Sequence, residues 1–110
     1  MISFDTPNPN GLLASFKEAI RKGHVETWSD VNGDFTHTPP QWKGKAWMRP
    51  TVYANELRFS IIRPQNGSIT SEIYAVYHGR FIETMLAHFD KQFSTGAATA
   101  LASQSDRIAA

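Results

Sequence analysis

The chain has 110 residues, which fits a single domain that buries roughly two-thirds of its unfolded surface on folding. Hydrophobic residues make up 41% of the sequence and charged residues 19%, which excludes a wholly disordered chain. The net charge of +1 excludes a general electrostatic attraction to nucleic acid or anionic membranes. The lack of cysteine excludes disulfides, thiol nucleophiles and thiolate metal sites.

Two further features of the sequence bear on its location. The N-terminal segment, MISFDTPNPNG, lacks a basic region followed by an apolar run, so a secretory signal is not expected. No stretch approaches the ~18 consecutive apolar residues of a transmembrane helix, so no membrane partner is expected. Together with the lack of cysteine, these features predict a soluble cytoplasmic protein.

The first predicted helix covers residues 11–22 and follows an extended lead-in that contains two prolines, residues 1–9. Asn10 is the predicted N-cap. Gly23 suits the left-handed position that follows the last helical turn. The apolar residues that share one face of this helix are Leu12, Leu13, Phe16, Ala19 and Ile20.

Alternating and β-branched segments predict four strands after this helix. They are residues 24–29, 35–38, 46–53 and 57–62. The pair Asn32-Gly33 predicts a tight turn after the first strand, and residues 64–67 predict a turn after the fourth. The two prolines of residues 39–45 predict a loop between the second and third strands.

The strongest apolar pattern lies in the C-terminal third of the chain and predicts the second helix. Its apolar stripe consists of Phe81, Ile82, Met85, Leu86, Phe89 and Phe93. Two interpretations are open for residues 68–77. Their β-branched and aromatic side chains favour a fifth strand, with His78-Gly79 as the break before the helix. Alternatively, Thr70 caps one long helix that includes this run. We favour a strand followed by a helix.

The order of the predicted elements indicates an α+β fold. Short connections favour an antiparallel meander of four or five strands, with the N- and C-terminal helices on one face of a two-layer sandwich. A single domain is predicted for residues 1–96, followed by a flexible tail, residues 97–110. The other face of the sheet is expected to be either solvated or covered by a second copy of the chain.

The sequence predicts neither a metal site nor a cofactor. The four histidines, His24, His37, His78 and His88, are scattered, and none has the i, i+4 spacing of a helical zinc pair. A G-x-S-x-G nucleophile motif is also lacking.

An anion site is one possibility at the junction between the predicted fifth strand and the second helix. The free N–H groups at a helix start attract anions, and His78, Gly79 and Arg80 lie at this point. His78 and Glu83 could also form a general acid–base pair. One alternative function is therefore an enzyme or anion-binding protein with its site at residues 78–83.

Tryptophans and cations are concentrated between residues 42 and 49, where we select Trp42, Lys45, Trp47 and Arg49 as candidate binding residues. Tryptophan and arginine are enriched in protein interfaces. The same side chains can stack on bases and neutralise phosphates, and the indoles could instead close the ends of the core. We predict a small non-catalytic interaction module that binds a protein partner or itself, as a homodimer, through this patch. Nucleic-acid binding through the same patch is the other alternative.

Overall fold

Six strands form one antiparallel sheet, and both helices pack against it, in the computed structural model, which describes residues 1–109. The strands are β1 (Ile2–Asp5), β2 (Trp28–Val31), β3 (Asp34–His37), β4 (Trp47–Tyr53), β5 (Glu56–Ile62) and β6 (Thr95–Ala98). The helices are α1 (Pro9–Arg21) and α2 (Ser71–Phe89). The predicted α+β architecture is confirmed, with six strands instead of four or five.

The sheet combines a meander with a strand from the start of the chain. The strand order is β2-β3-β4-β5-β1-β6, so four consecutive strands are neighbours, and β1 lies between β5 and β6. At the turn between β2 and β3, Asn32 and Gly33 have φ angles of 54° and 90°. Asparagine and glycine tolerate this left-handed conformation better than other residues, which confirms the predicted hairpin turn.

Residues 1–9 were expected to be only a lead-in, and part of this segment is a central strand instead. Ile2 and Phe4 of β1 are fully buried. Phe4 pairs with Leu57 of β5 on one side and with Gly96 of β6 on the other. A Cβ atom at Gly96 would lie 2.9 Å from a carbon of the Phe4 ring, so glycine allows the two strands to pair closely.

Helix α1 matches its prediction except at its first turn. It begins at Pro9, and its N-cap is Asn8 instead of Asn10. The Asn8 side chain accepts a hydrogen bond from the Gly11 N–H at 3.0 Å. Proline suits the first helical position because the helix does not use its N–H there. At the other end, Gly23 has a φ angle of 78°, as the predicted helix end requires.

Helix α2 runs without a break from Ser71 to Phe89, so the predicted strand over residues 68–77 is wrong and the long-helix alternative is correct. Thr70 is its N-cap, and Thr70 Oγ1 accepts a hydrogen bond from the Ile73 N–H at 3.1 Å. The aromatic and β-branched residues of this run pack against the core. Their burial outweighs a local preference for the strand conformation.

Both helices cover the same face of the sheet. Phe59 of β5 contacts Phe16 of α1 and Phe81 of α2, with ring centroids 6.4 and 4.5 Å apart. Phe4 and Phe35 also lie against the Phe59 ring, and all five rings are fully buried. Because one ring of the sheet contacts both helices, α1 and α2 lie on the same face, and neither of them covers the opposite face.

The C-terminal segment, residues 97–109, packs against the domain, although residues 97–110 were expected to form a tail. The domain boundary expected at residue 96 lies inside β6. Next to the N-terminal end of β1, the C-terminal segment runs parallel to β5. There the Arg107 N–H donates to the Ile61 carbonyl at 2.9 Å, and the Arg63 N–H donates to the Arg107 carbonyl at 2.7 Å. This segment therefore pairs with the part of β5 that β1 does not reach.

Candidate interaction surface

The sheet face opposite the helices, which we call the outer face, is built mainly by β4 and β5. Met48 and Ile61 pair with each other and are fully buried on the helical side. Because side chains alternate along a strand, the residues next to them point to the outer face. From these two strands the outer face receives Trp47, Arg49, Thr51, Tyr53, Glu56, Arg58, Ser60 and Ile62.

Two arginine–carboxylate pairs lie on the outer face. Arg49 donates from Nε and Nη2 to the Asp34 carboxylate of β3, at 3.1 and 2.9 Å. Arg58 donates from Nε to Glu56 at 2.6 Å, and its guanidinium lies 4.4 Å from the centre of the Tyr53 ring. These hydrogen bonds to carboxylates raise the pKa of both arginines. The outer face is therefore charged but locally neutral.

Apolar and aromatic side chains lie among the charged pairs. Val31 at the end of β2 is 46% exposed, and Tyr53 is 45% exposed. Val31, the half-buried Trp47 and Ile62 line a shallow depression of about 310 Å³ together with the Arg49–Asp34 pair. Tryptophan, tyrosine and arginine are the residue types that protein interfaces favour.

Of the four residues predicted to bind a partner, three are accessible and one is buried. Lys45 and Arg49 are exposed, and Trp47 is half-buried. Trp42 is 8% exposed, and its carbonyl accepts a hydrogen bond from the Tyr77 hydroxyl. Trp42 therefore lies in the core, which corrects the surface position that the sequence suggested.

Sequence reasoning did not include Tyr53, Arg58 or Asp34 among the residues predicted to bind a partner. The alternation along residues 46–53 contains a signal for Tyr53, because it places this residue on the same side as Arg49. The pairing of Asp34 with Arg49 has no such local signal. It depends on how β3 aligns with β4, which pair through Phe35 and Met48 across a long loop.

The structure contradicts the helix start on which the predicted anion site depends. His78, Gly79 and Arg80 lie in the middle of α2, where backbone N–H groups bond within the helix. The Arg80 guanidinium lies 3.3 Å from Nε2 of His37. Glu83 is exposed whereas His78 is 4% exposed, and five residues of helix place them on different sides of α2. They do not form the expected acid–base pair.

A buried polar cluster connects the N-terminal amine to α2 and to the C-terminal segment. The Met1 amine lies 2.9 Å from Asp106 Oδ2 and 3.0 Å from the Tyr74 hydroxyl, Thr99 Oγ1 and His78 Nε2. Burial and the neighbouring amine lower the pKa of His78 to about 4. Burial opposes ionisation of Asp106, but hydrogen bonds from the backbone and the amine lower its pKa. Each group of the cluster has a partner within the chain.

Some kinds of site are not found in the part of the chain that the structure describes. Across residues 1–109, no group of three histidine, aspartate or glutamate side chains could hold a metal ion. None of the helices in this range is long and apolar enough to cross a membrane. Every buried side-chain nitrogen or oxygen of these residues has a hydrogen-bond partner.

The outer face combines partly exposed aromatic and apolar side chains with two arginine–carboxylate pairs. Comparisons with protein-family models, with curated proteins and with solved structures give no match to this chain.

Proposed function

We propose that this chain is a non-catalytic interaction module that forms a homodimer through the outer face of its sheet. The observation that carries the proposal is the composition of this face, which neither helix covers. Trp47 and Tyr53 lie there beside two arginine–carboxylate pairs, Arg49–Asp34 and Arg58–Glu56. The lack of cysteine agrees with a reducing compartment, so we place the module in the cytoplasm.

A second copy of the chain suits this face because its charges are self-complementary. A two-fold axis brings the same patch of both copies together, so that each arginine can approach a carboxylate of the other copy. Two sheets pack face to face at a spacing of roughly 10 Å, which lets aromatic side chains interdigitate. Because Arg49 and Arg58 each have a carboxylate partner within their own chain, neither of these two charges is left unpaired when the face is buried.

Nucleic-acid binding has less support than self-association. Its affinity depends on cations that are free to neutralise phosphates. On the outer face, Arg49 and Arg58 are held by Asp34 and Glu56, and these carboxylates repel phosphates. Lys43 and Lys45 are exposed in the loop that precedes β4, but two lysines are a small part of the charge that such binding needs.

Sedimentation equilibrium of the full chain over a wide concentration range tests the proposal. The wild type is expected to pass from one to two chain masses as its concentration rises. Arg49→Glu and Tyr53→Ser are each expected to weaken association by about tenfold or more, which is about 1.4 kcal/mol. Lys17→Glu is the matched control, because Lys17 is an exposed cation on α1, on the other side of the sheet.

The unfolding free energy of each variant separates binding from folding. Arg49→Glu breaks the Arg49–Asp34 ion pair at the surface and places a second carboxylate beside Asp34, so its stability should decrease by about 1 kcal/mol. A wild type that stays monomeric at all concentrations would overturn the proposal. Binding of an oligonucleotide at low salt that falls steeply as salt is added would support the nucleic-acid alternative instead.

A further inference from the structure

The chain contains three Asn-Gly pairs, at Asn10, Asn32 and Asn66. In such a pair the backbone nitrogen of the glycine can attack the side-chain amide of the asparagine, because glycine has no side chain to obstruct the approach. The three pairs lie in different local structures. We propose that Asn66 is a site of spontaneous deamidation in the folded protein and that the other two asparagines are protected.

The reaction needs only water as a co-reactant. The Gly67 nitrogen loses its proton and forms a bond to Asn66 Cγ, the Cγ–Nδ2 bond breaks, and ammonia leaves with that proton. The product is a five-membered succinimide. Water then adds to either of its two carbonyl carbons and opens the ring, which gives aspartate or isoaspartate, and nothing is oxidised or reduced.

Asn10 is protected by helix α1. It lies in the first turn, where the following residue, Gly11, donates its N–H to the Asn8 side chain at 3.0 Å. This hydrogen bond completes the N-cap. Attack on Asn10 would require the glycine nitrogen to leave the cap and the first turn to open.

Asn32 is protected by the hairpin between β2 and β3. The Gly33 N–H donates to Asp30 Oδ1 at 2.8 Å, and a neighbouring carboxylate opposes the loss of this proton. The φ angle of 54° at Asn32 is fixed by the pairing of Val31 with Asp34 on either side of the turn. The backbone therefore cannot rotate freely toward the geometry of the ring.

Asn66 has neither form of protection. It is exposed in the connection between β5 and α2, outside any helix or strand. The Gly67 N–H donates only to the neutral Pro64 carbonyl, at 3.2 Å. Nη1 of Arg63 lies 3.4 Å from the Gly67 carbonyl oxygen, and this cation favours an amide nitrogen that has lost its proton.

Deamidation would change the charge of this connection. Asn66 and Lys45 line the same depression of about 450 Å³, so a new carboxylate at residue 66 would lie close to this lysine. The isoaspartate product also adds a methylene group to the backbone of a tight turn. The chemical step itself does not depend on the proposed dimer.

Peptide mapping by mass spectrometry tests the inference. The full chain is incubated at mildly alkaline pH, folded in buffer and unfolded in urea, and samples are digested at intervals. In the folded protein we expect a gain of one mass unit in the Asn66 peptide, split between aspartate and isoaspartate, several-fold faster than in the other two Asn-Gly peptides. In urea the three peptides should react at similar rates.

The variant Asn66→Gln is the control, because glutamine does not form this five-membered ring readily. This variant should abolish the gain of one mass unit in the peptide that contains residue 66. It should leave the slow reactions at Asn10 and Asn32 unchanged. Equal rates at the three sites in the folded protein would overturn the proposal. So would an Asn66 peptide that reacts in urea but stays intact in buffer.

Discussion

His78 is a buried side chain whose two ring nitrogens both have partners within the chain. Its Nδ1–H donates to the Tyr74 carbonyl at 2.7 Å, and its Nε2 faces the Met1 amine at 3.0 Å. Thr99 and Asp106 surround the same amine. A proton on His78 would place a second positive charge beside the amine in a buried site, so the folded state keeps the imidazole neutral.

Stability should therefore decrease with falling pH. His78 has a pKa of about 4 when folded and about 6.5 when unfolded, so between these values only the unfolded chain takes up the proton. The free energy of unfolding begins to fall near pH 6.5. The contribution of His78 is fully lost near pH 4 and amounts to roughly 3 kcal/mol. Urea unfolding at a series of pH values measures it.

The variant His78→Gln isolates this effect, because glutamine keeps a donor and an acceptor but does not titrate. Its stability should fall less steeply over the same pH range. Some slope should remain, because burial also lowers the pKa of His37. Below about pH 4 the loss of the Asp106 carboxylate adds to the decrease, since its pKa is lowered too. Equal slopes for the wild type and the variant would contradict the role of His78.

The three tryptophans also differ in their burial, although the sequence does not distinguish them. Trp28 is buried, and its indole N–H donates to Thr84 Oγ1 of α2 at 3.1 Å. Trp42 is buried against the same helix through Tyr77. Trp47 remains half-buried on the outer face. Which indole is buried depends on partners in α2, more than thirty residues away along the chain.

At the scale of elements, a substitution at Gly79 tests whether helix α2 is continuous. This glycine is exposed in the middle of the helix, and a Cβ atom there would meet nothing within 4 Å. Alanine is more favourable than glycine inside a helix, so Gly79→Ala should stabilise the fold by roughly 0.5–1 kcal/mol. Urea denaturation measures the difference.

Gly23→Ala is the opposite control. Gly23 has a φ angle of 78°, which an alanine adopts only with strain, so this change should destabilise the protein. If Gly79→Ala were destabilising instead, residue 79 would lie at a break in the helix, as the sequence-based interpretation proposed.

Local signals explain which elements could be predicted. The hairpin at Asn32-Gly33 and the end of α1 at Gly23 follow from neighbouring residues, and the structure confirms both. The strand β6 could not be predicted, because its sequence, TGAA, has no apolar alternation. It becomes a strand by pairing with β1, where Gly96 faces Phe4. The start of α2 was obscured by residues whose burial overrides their strand propensity.

For the candidate surface, too, the sequence could predict residues within one strand but not their partners in another strand. Trp47 and Arg49 could be selected from their residue type and their alternation in one strand. The carboxylate partner of Arg49 could not, because Asp34 comes from another strand. That partner changes the chemistry of the surface, since it neutralises a cation that the sequence leaves free for phosphates.

At the scale of the whole molecule, the C-terminal segment should contribute to stability. Truncation after Ala98 removes Asp106, which binds both the Met1 amine and the Ile61 N–H at 2.9 Å. The buried Ile61 N–H then loses its partner, and the Met1 amine keeps only Tyr74 and His78, so we expect a total loss of about 2–4 kcal/mol. Urea unfolding measures this loss.

Removal of only the last two residues is the control for this truncation. It keeps Asp106 and the Ile108 carbonyl, which accepts the Ile69 N–H at 2.8 Å, so the stability should be unchanged. Equal stability of the full chain and the chain that ends at Ala98 would show that the segment is a tail, as the sequence suggested.

The position of β1 between β5 and β6 has a consequence for synthesis on the ribosome. β1 emerges early from the exit tunnel, but both of its partners are translated later, β6 near the end of the described chain. Until β5 has emerged, Ile2 and Phe4 have no sheet to join, and the edge of β1 that pairs with β6 stays open for longer. The nascent chain therefore carries the unburied side chains of β1, where a chaperone could bind, until β5 becomes available.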